Sequence, residues 1–218
     1  MRTDLDPADL GPRPFYRLLT AVVVPRPIAW VSTRSAAGAD NLAPHSFFTV
    51  SCVDPPIVQF TSVRTKDSLR NVRETREFVV CLATEPLFEQ VNATATDFPP
   101  DVSEFVAVGL TPEPSARVAP PRVAESPVAL ECVLHAAVDL GDSTVVMGRV
   151  VHAAVDTDVF DGDPHAGGLP AVGKLRPLAR LGRDEWSTIG EVLDITRISH
   201  REWPGRRPRP VDRGRWDS

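Results

Sequence analysis

The segment TSVRTKDSLRN (61–71) concentrates hydroxyl and cationic side chains at a predicted helix start. A phosphate monoester carries about −1.5 to −2 charge and three acceptor oxygens, so hydroxyls, cations and free helix-start amides suit it. The segment therefore predicts a phosphate site, although a capped surface helix with ordinary charges fits the same residues. The groups concerned are the hydroxyls of Thr61, Ser62, Thr65 and Ser68 and the cations of Arg64 and Lys66.

A second segment, NLAPHSFF (41–48), combines an Asn amide, an Ala-Pro turn, a Ser and two aromatic residues. Its backbone donors and acceptors, together with the amide of Asn41, suit the heteroatom edge of a flat ring. A simple turn between two strands is the alternative interpretation. The two segments together suggest a ligand with a planar head and a phosphate tail.

Other motifs are incomplete. GLPAVGK (168–174) has the G-x-x-x-x-G-K spacing of a phosphate loop, but Leu175 stands where a hydroxyl should hold magnesium and Pro170 removes an amide. There is no G-x-G-x-x-G, so a dinucleotide is not expected to bind in the Rossmann manner. The five histidines lack metal-ligand spacing. Ser46 beside His45 does not predict a triad, because neighbours on a strand point to opposite faces.

Composition narrows the class of protein. The chain has 218 residues, 42% hydrophobic and 24% charged, which is typical of a globular protein. A net charge of −5 argues against a dedicated nucleic-acid binder. No apolar run approaches the roughly 18 residues of a membrane helix, and the first residues do not resemble a secretory signal. Three distant cysteines predict neither a disulfide framework nor a zinc site. From charge, hydropathy and cysteine content together, we expect a cytoplasmic protein without a membrane or nucleic-acid partner.

Charge is uneven along the chain. Residues 197–218 contain seven Arg and three Pro and carry a net charge of +4. A disordered or loosely packed tail is the favoured interpretation, and binding of an acidic partner is the alternative. We therefore expect an N-terminal extension over 1–14, one domain over 15–196 and an Arg/Pro-rich tail over 197–218.

The elements that must position the two segments are short. Strands are predicted at 21–33, 46–53, 57–63 and 77–84, the first as an edge strand or a strand entering after a Pro kink. Helices are predicted at 66–76, capped by Asp67 or Ser68, and at 86–96, with Leu87, Val91 and Ala95 on one face. Alternation over 128–155 around Gly141-Asp142 predicts a hairpin. Many short strands and few helices favour a small closed or partly closed barrel.

Taken in order, several segments resemble the flavin reductase-like family, the FMN-binding split-barrel proteins, which include flavoredoxins and the reductase components of two-component monooxygenases. The resemblance covers roughly residues 15–190. The matching segments are RPIAWVST (26–33), G-x-x-NLAPHSFF (38–48), DPPIVQF (54–60), RTKDSLRNVRETREFVVCLA (64–83), VVMGRVV (145–151) and LARLGRDEW (178–186).

The resemblance implies a mainly β, Greek-key split β-barrel with a few short helices. It further implies a homodimer with FMN, rather than FAD, at the interface, and hydride transfer from NADH or NADPH to the flavin. It places Asn41, Ala43 and Ser46 along the isoalloxazine ring or the ribityl chain of FMN. It places Thr33 and Phe47 near the ring. The residues it assigns to the phosphate are Ser62, Arg64, Lys66 and Ser68, and those it assigns to the C-terminal flavin contact are Arg180 and Trp186.

Two departures from the family pattern bear on activity. Trp186 stands where relatives carry Tyr, so a flat aromatic residue is kept, but an indole N–H replaces the phenolic hydroxyl. Many relatives have a His just before the strand that ends in G-x-V, whereas this chain has Gly141-Asp142-Ser143-Thr144 there. His152 is either a substitute or an ordinary outward strand residue. The resemblance predicts an NAD(P)H:flavin oxidoreductase that either supplies reduced FMN to an oxygenase or works alone; the alternative is a flavoredoxin-like electron carrier that does not use nicotinamide.

Overall fold

The computed structural model describes residues 2–99 and 102–203, which form mainly antiparallel strands joined by short helices. The strands are β1 (Arg26–Pro27), β2 (Ala29–Arg34), β3 (Asp40–His45), β4 (Phe48–Cys52), β5 (Ile57–Val63), β6 (Glu77–Leu82), β7 (Pro112–Glu113), β8 (Arg122–Val123), β9 (Val128–Leu140), β10 (Ser143–Val155), β11 (Phe160–Asp161), β12 (Leu169–Pro170), β13 (Ala179–Arg180) and β14 (Trp186–Ser187). The helices are α1 (Pro7–Leu10), α2 (Pro12–Val22), α3 (Asp67–Thr75), α4 (Phe88–Ala93), α5 (Glu104–Ala107) and α6 (Val172–Leu175), with 3-10 turns at Glu85–Leu87, Thr157–Val159 and Pro164–Ala166.

One sheet of seven strands dominates the architecture, in the order β3-β2-β6-β9-β10-β5-β4. Each pair in it is antiparallel, and several neighbours are distant in sequence, so the chain crosses over repeatedly. A smaller sheet of three strands, β1-β13-β14, brings the C-terminal segment against the chain just before β2. The mainly β class with a few short helices is confirmed. No helix among the described residues is long and apolar enough to cross a membrane.

The longest pairing is the hairpin of β9 and β10, which confirms the prediction from alternation over 128–155. Gly141 has φ +61° at the turn, a left-handed conformation in which glycine carries no steric penalty. β10 continues across to β5, where Thr144 faces Ser62. The hairpin therefore supports the strand that leads directly into α3.

The core lies on both faces of the sheet, which explains why β2 and β6 are buried almost throughout. On one face, Trp30 packs with residues of α4, α5 and the following loops. On the other face, Phe78 packs with residues of β5, β9, β10 and α3. Leu69 and Val72 of α3 belong to this second cluster, so burial of its apolar face anchors the helix.

Gly148 marks a close approach in the second cluster. A Cβ at this position would collide with Cζ of Phe78, would lie 2.7 Å from its Cε1 and 3.0 Å from Cβ of Cys132. Since both neighbours are fully buried, we expect Gly148→Ala to lower the free energy of unfolding by about 1–3 kcal/mol, the range for overpacked cores. Urea denaturation measures this change. Gly173→Ala is the control because nothing lies near its Cβ, and an equal effect of both substitutions would contradict the packing argument.

The N-terminal prediction was partly wrong. Residues 12–22 form α2, so the predicted strand over 21–33 begins only at β1 and β2. Pro12 lies in the first turn of α2, where the missing N–H of proline costs no helical hydrogen bond. The apolar residues of α2 recur at helical spacing. β2 is flanked by β3 and β6, so it is not an edge strand. Of the two predicted alternatives, the strand that enters the sheet after a Pro kink is therefore the one that fits. The helix predicted over 86–96 is shorter, because α4 spans Phe88–Ala93 and Ala95 lies beyond its end. Residues 204–218 of the tail lie outside the described residues.

Candidate functional site

The two segments singled out in the sequence meet at one cavity of about 410 Å³. One wall comes from the end of β3 and the bend that follows it, and another from the end of β5 and the start of α3. The loop after α4 and the first residue of α5 close the remaining side. The cavity is lined by Tyr16, Asn41, Ala43, Pro44, His45, Ser46, Phe47, Thr61, Val63, Thr65, Lys66, Asp67, Ser68, Thr94, Ala95, Thr96, Asp97, Phe98 and Glu104.

The start of α3 faces this cavity. Lys66 is the N-cap residue, in place of the predicted Asp67 or Ser68, and no side chain caps the helix. The first-turn amides consequently lack the side-chain acceptor that usually satisfies them. The ammonium of Lys66 lies 3.4 Å from the carboxylate of Asp97, and both side chains are largely exposed. Such an exposed pair contributes little to stability, so Lys66 can exchange this partner for another anion.

A network of polar side chains joins three elements behind the cavity wall. The amide nitrogen of Asn41 donates to the hydroxyl oxygens of Ser68, at 3.2 Å, and of Thr33, at 3.4 Å. Asn71 also donates to Thr33, at 3.0 Å. Nε2 of His45 lies 3.4 Å from the hydroxyl of Ser68. Because all five side chains belong to β2, β3 or α3, the network holds the helix start against the Asn41–Phe47 segment.

His45 is buried among these groups. Its ring lies 4.6 Å from the ring of Phe60, centroid to centroid. Burial lowers the pKa of His45 to about 4; a hydrogen bond with the backbone of Thr61 opposes this shift, and the nearby charge of Lys66 adds to it. The imidazole is therefore neutral at physiological pH.

Phe47 lines the cavity and lies between an aromatic ring and a cation. Tyr16 of α2 approaches it edge-on with 6.4 Å between ring centroids, and the guanidinium of Arg26 lies 5.9 Å from its ring. Arg26 is buried and donates to the carbonyls of Thr20, Val23 and Leu181. Arg26 thus ties the end of α2 and the C-terminal segment to Phe47 in the cavity wall.

A second cavity, of about 590 Å³, adjoins the first and shares Pro44, Ser46 and Ala95 with it. Arg180 and Trp186 line it, with the guanidinium 4.6 Å from the centre of the indole ring. Phe88 meets the same indole edge to face at 5.1 Å. The second cavity therefore has an aromatic wall with a cation over it, a surface suited to a flat conjugated ring.

The structure brings most of the predicted site residues together. The predicted residues that line the first cavity are Asn41, Ala43, Ser46, Phe47, Lys66 and Ser68. Those that line the second are Ser46, Arg180 and Trp186.

Three predicted residues line neither cavity. Thr33 is fully buried and acts on the site through Asn41. Ser62 is fully buried as well, and its hydroxyl donates to the carbonyl of Arg64 at 3.0 Å. Arg64 is exposed, with φ +64°, and its amide donates to the carbonyl of Asp142 at 2.8 Å. Ser62 and Arg64 therefore shape the turn that leads into α3.

Sequence reasoning missed several residues of the cavity. His45 was recognised only as unsuited to metal binding or a triad, because its burial depends on contacts with β5 and α3. Glu104 is buried, its carboxylate accepts from the amide of Leu42 at 3.0 Å, and burial raises the pKa of this carboxyl group. Tyr16 and the loop 94–98 carried no local signal, since only the fold brings them to the cavity.

Comparison with known proteins assigns the chain to a family. The model of the flavin reductase like domain matches residues 21–175. The chain belongs to this family. An uncharacterised protein from Aquifex aeolicus is 40% identical over 172 residues, covering 77% of this chain and 86% of that protein. Nitrilotriacetate monooxygenase component B from Bacillus cereus superposes with a TM-score of 0.85 at 30% identity, covering 89% of this chain and 99% of that one.

The predicted split barrel is confirmed by the fold comparison. A protein with a split barrel domain from Shewanella frigidimarina superposes with a TM-score of 0.79 at 21% identity, covering 88% of this chain and 96% of that one. At this identity the likeness concerns the fold alone. The seven-stranded sheet with its crossovers is thus the split barrel of the flavin reductase-like family.

Proposed function

We propose that this protein is an NAD(P)H:flavin oxidoreductase that binds FMN across the two adjoining cavities. The observation that carries the proposal is the meeting of the Asn41–Phe47 segment and the uncapped start of α3 at one cavity. Membership of the flavin reductase-like family supports it. Bound FMN would supply the hydride acceptor, and a nicotinamide cosubstrate would supply the hydride.

The residues at the start of α3 fit a phosphate monoester. Lys66 supplies a cation, Thr65 supplies a hydroxyl, and the first turn of the nine-residue helix, which includes Ser68, supplies amides that no side chain caps. Asp67 also lines the cavity, but it pairs with Arg70 one turn later, which offsets its charge. The positive end of the helix and Lys66 together favour an anion here.

The remaining residues fit the ribityl chain and the ring. Asn41, Ala43 and Ser46 would lie along these parts of FMN, with Phe47 beside the ring. Ser46 lines both cavities, so a ligand anchored at α3 reaches Arg180 and Trp186 by passing it. The protein's tasks are to orient the two rings about 3–3.5 Å apart and to exclude water, and no side chain needs to act as an acid or base.

An anaerobic titration tests the proposed activity. FMN is mixed with the purified protein and then with NADH or NADPH, and loss of the flavin absorbance at about 450 nm reports reduction. We expect loss with at least one nicotinamide at a rate well above that of the mixture without protein. FMN binding without reduction by either nicotinamide would reject the oxidoreductase and leave an electron carrier. A parallel titration with FAD tests the preference for FMN.

Lys66→Ala should weaken FMN binding by about 1.5–3 kcal/mol, the scale of a hydrogen bond to a charged group. Fluorescence titration of the apoprotein measures the change. Riboflavin, which lacks the phosphate, should bind both proteins equally. Arg64→Ala is the matched control, because Arg64 is a cation two residues away that lines neither cavity. Unchanged FMN affinity in Lys66→Ala would reject the phosphate assignment.

A homodimer is part of the proposal, because α2, whose Tyr16 lines the first cavity, and the segment after β14 leave apolar side chains exposed. α2 buries no residue, and its Leu19 and Val22 are 47% and 63% exposed. Leu193, in the segment after β14, is 81% exposed. Surfaces of this kind are usually covered by a protein partner, and we propose a second copy of this chain. Light scattering should give twice the mass of 23.7 kDa, and a monomer at micromolar concentration would contradict the proposal.

Supply of reduced flavin to an oxygenase is the proposed physiological role. The support is the similarity to nitrilotriacetate monooxygenase component B, at 30% identity over 89% of this chain. Reduced flavin that the protein releases would be consumed by a separate flavin-dependent monooxygenase. Retention of the flavin through repeated anaerobic reduction and gel filtration would contradict this role.

A further inference from the structure

We propose that His45 is a positioning residue: its bare Nε2 accepts the hydroxyl hydrogen of Ser68, and this orients the Asn41 amide with its oxygen towards the cavity. Asn41 then selects a ligand group that donates a hydrogen bond, such as a ring N–H or a ribityl hydroxyl. The inference rests on the proposed function in taking FMN as the ligand.

Asn41 is held in one orientation by two hydroxyl groups. Its amide nitrogen carries two hydrogens, and these are used by Thr33 and Ser68, at 3.4 and 3.2 Å. In the part of the chain that the structure describes, its Oδ1 accepts no hydrogen bond from the protein, and the side chain lines the cavity. With this orientation, Asn41 presents an acceptor to the ligand.

This orientation depends on Ser68. A hydroxyl has one hydrogen to donate, and that of Ser68 can point either to His45 or to Asn41. If it points to His45, the oxygen of Ser68 is left to accept from the Asn41 amide nitrogen. If it points to Asn41, the amide must turn over and present its nitrogen to the cavity. The imidazole therefore decides which face of Asn41 a ligand meets.

The tautomer of His45 follows from the partners of Ser68. The oxygen of Ser68 accepts from the Asn41 amide nitrogen at 3.2 Å, and the other side-chain partner of this hydroxyl among the described residues is Nε2 of His45 at 3.4 Å, so the Ser68 hydrogen points to Nε2. The backbone of Thr61, which raises the pKa of His45, agrees with a hydrogen on the other ring nitrogen. The amide of Thr61 already donates to the carbonyl of Phe47 at 2.9 Å, which leaves only its carbonyl for His45. Because Nε2 faces Ser68, Nδ1 carries the hydrogen towards Thr61. A neutral ring has one such hydrogen, so Nε2 is bare and accepts from Ser68.

The first test reads the tautomer without any ligand. Long-range ¹H–¹⁵N spectra of the apoprotein at neutral pH distinguish the two neutral imidazole tautomers and the cation, and the His45 signals are those lost in His45→Gln. We expect the neutral form with hydrogen on Nδ1. Hydrogen on Nε2, in either the other tautomer or the cation, would overturn the inference. His135, which is exposed, provides the internal reference for a ring without fixed partners.

The second test compares FMN affinity in two variants. His45→Phe keeps a ring against Phe60 but removes the acceptor, so we expect the Kd for FMN to rise at least tenfold. In His45→Gln the side-chain oxygen can accept from Ser68, so we expect most of the affinity to return. Equal loss in two folded variants, or no loss in His45→Phe, would overturn the inference. Absence of FMN binding in the wild-type protein would instead reject the proposed function, whatever the tautomer of His45.

Discussion

Replacing Glu131 by alanine will lower the free energy of unfolding by about 3–5 kcal/mol, the effect of removing one partner from a buried ionic network. The side chain is fully buried in β9, and its carboxylate accepts from the amides of Ala116 and Arg117 at 2.8 and 2.6 Å. The guanidinium of Arg122 lies 3.9 Å away. Without the carboxylate, the two amides lose their acceptor, and Arg122, which also lies 3.2 Å from the carboxylate of Glu113, loses its buried partner. Urea denaturation at neutral pH measures the change.

Glu77→Ala is the matched control. Its carboxylate accepts from the amide of Ala119 at 2.8 Å, so it holds the same loop, but Glu77 is only half-buried. Water can replace a lost acceptor at such a position, and we expect a loss of about 1 kcal/mol. A loss below about 1 kcal/mol in Glu131→Ala would show that the loop does not depend on the buried carboxylate.

Acidification from pH 7 to about 4 will destabilise the protein by about 3 kcal/mol through His45 alone. The pKa of His45 is about 4 in the folded protein, against 6.5 for the free side chain. Between these values the unfolded chain binds a proton that the folded protein does not, so stability falls as the pH falls through this window. A difference of one pKa unit corresponds to about 1.36 kcal/mol, which sets the size of the effect.

The contribution of His45 is isolated by comparison with His45→Phe, which cannot bind the proton. Glu104 acts in the opposite direction, because its raised pKa favours the folded state as the pH falls, and other carboxyl groups add their own terms. These contributions are common to both proteins and cancel in the difference. Chemical denaturation at several pH values should therefore show a steeper acid dependence in the wild type. Parallel curves would mean that His45 is accessible to protons in the folded state.

The sequence predicted the elements whose signals are local. Alternation over 128–155 located the hairpin of β9 and β10, and helical spacing around Leu69 and Val72 located α3, because burial of one face imposes these periods. α2 was missed because its apolar residues run into the Pro-interrupted stretch before β1, which reads as a strand. β2 lies inside the sheet because it pairs with β6. This pairing could not be predicted from a local sequence pattern, since the two strands are distant in sequence.

The candidate site was predicted as two segments but not as a network. Asn41 and Ser68 were singled out by residue type, and both line the first cavity. Thr33 and Ser62 also carry hydroxyls, yet they line neither cavity, and the hydroxyl of Ser62 is bonded to the backbone. His45 gained its importance only from contacts with Phe60 and Ser68, which lie on different elements. Residue type shows what a side chain can do, whereas burial and partners decide what it does.

Comparison of FMN and riboflavin binding to the apoprotein tests whether the start of α3 holds a phosphate. The two ligands share the ring and the ribityl chain and differ only in the phosphate. If the phosphate is held by Lys66 and the start of α3, FMN should bind at least tenfold more tightly, and added salt should narrow the difference. Equal dissociation constants for the two ligands would contradict the account.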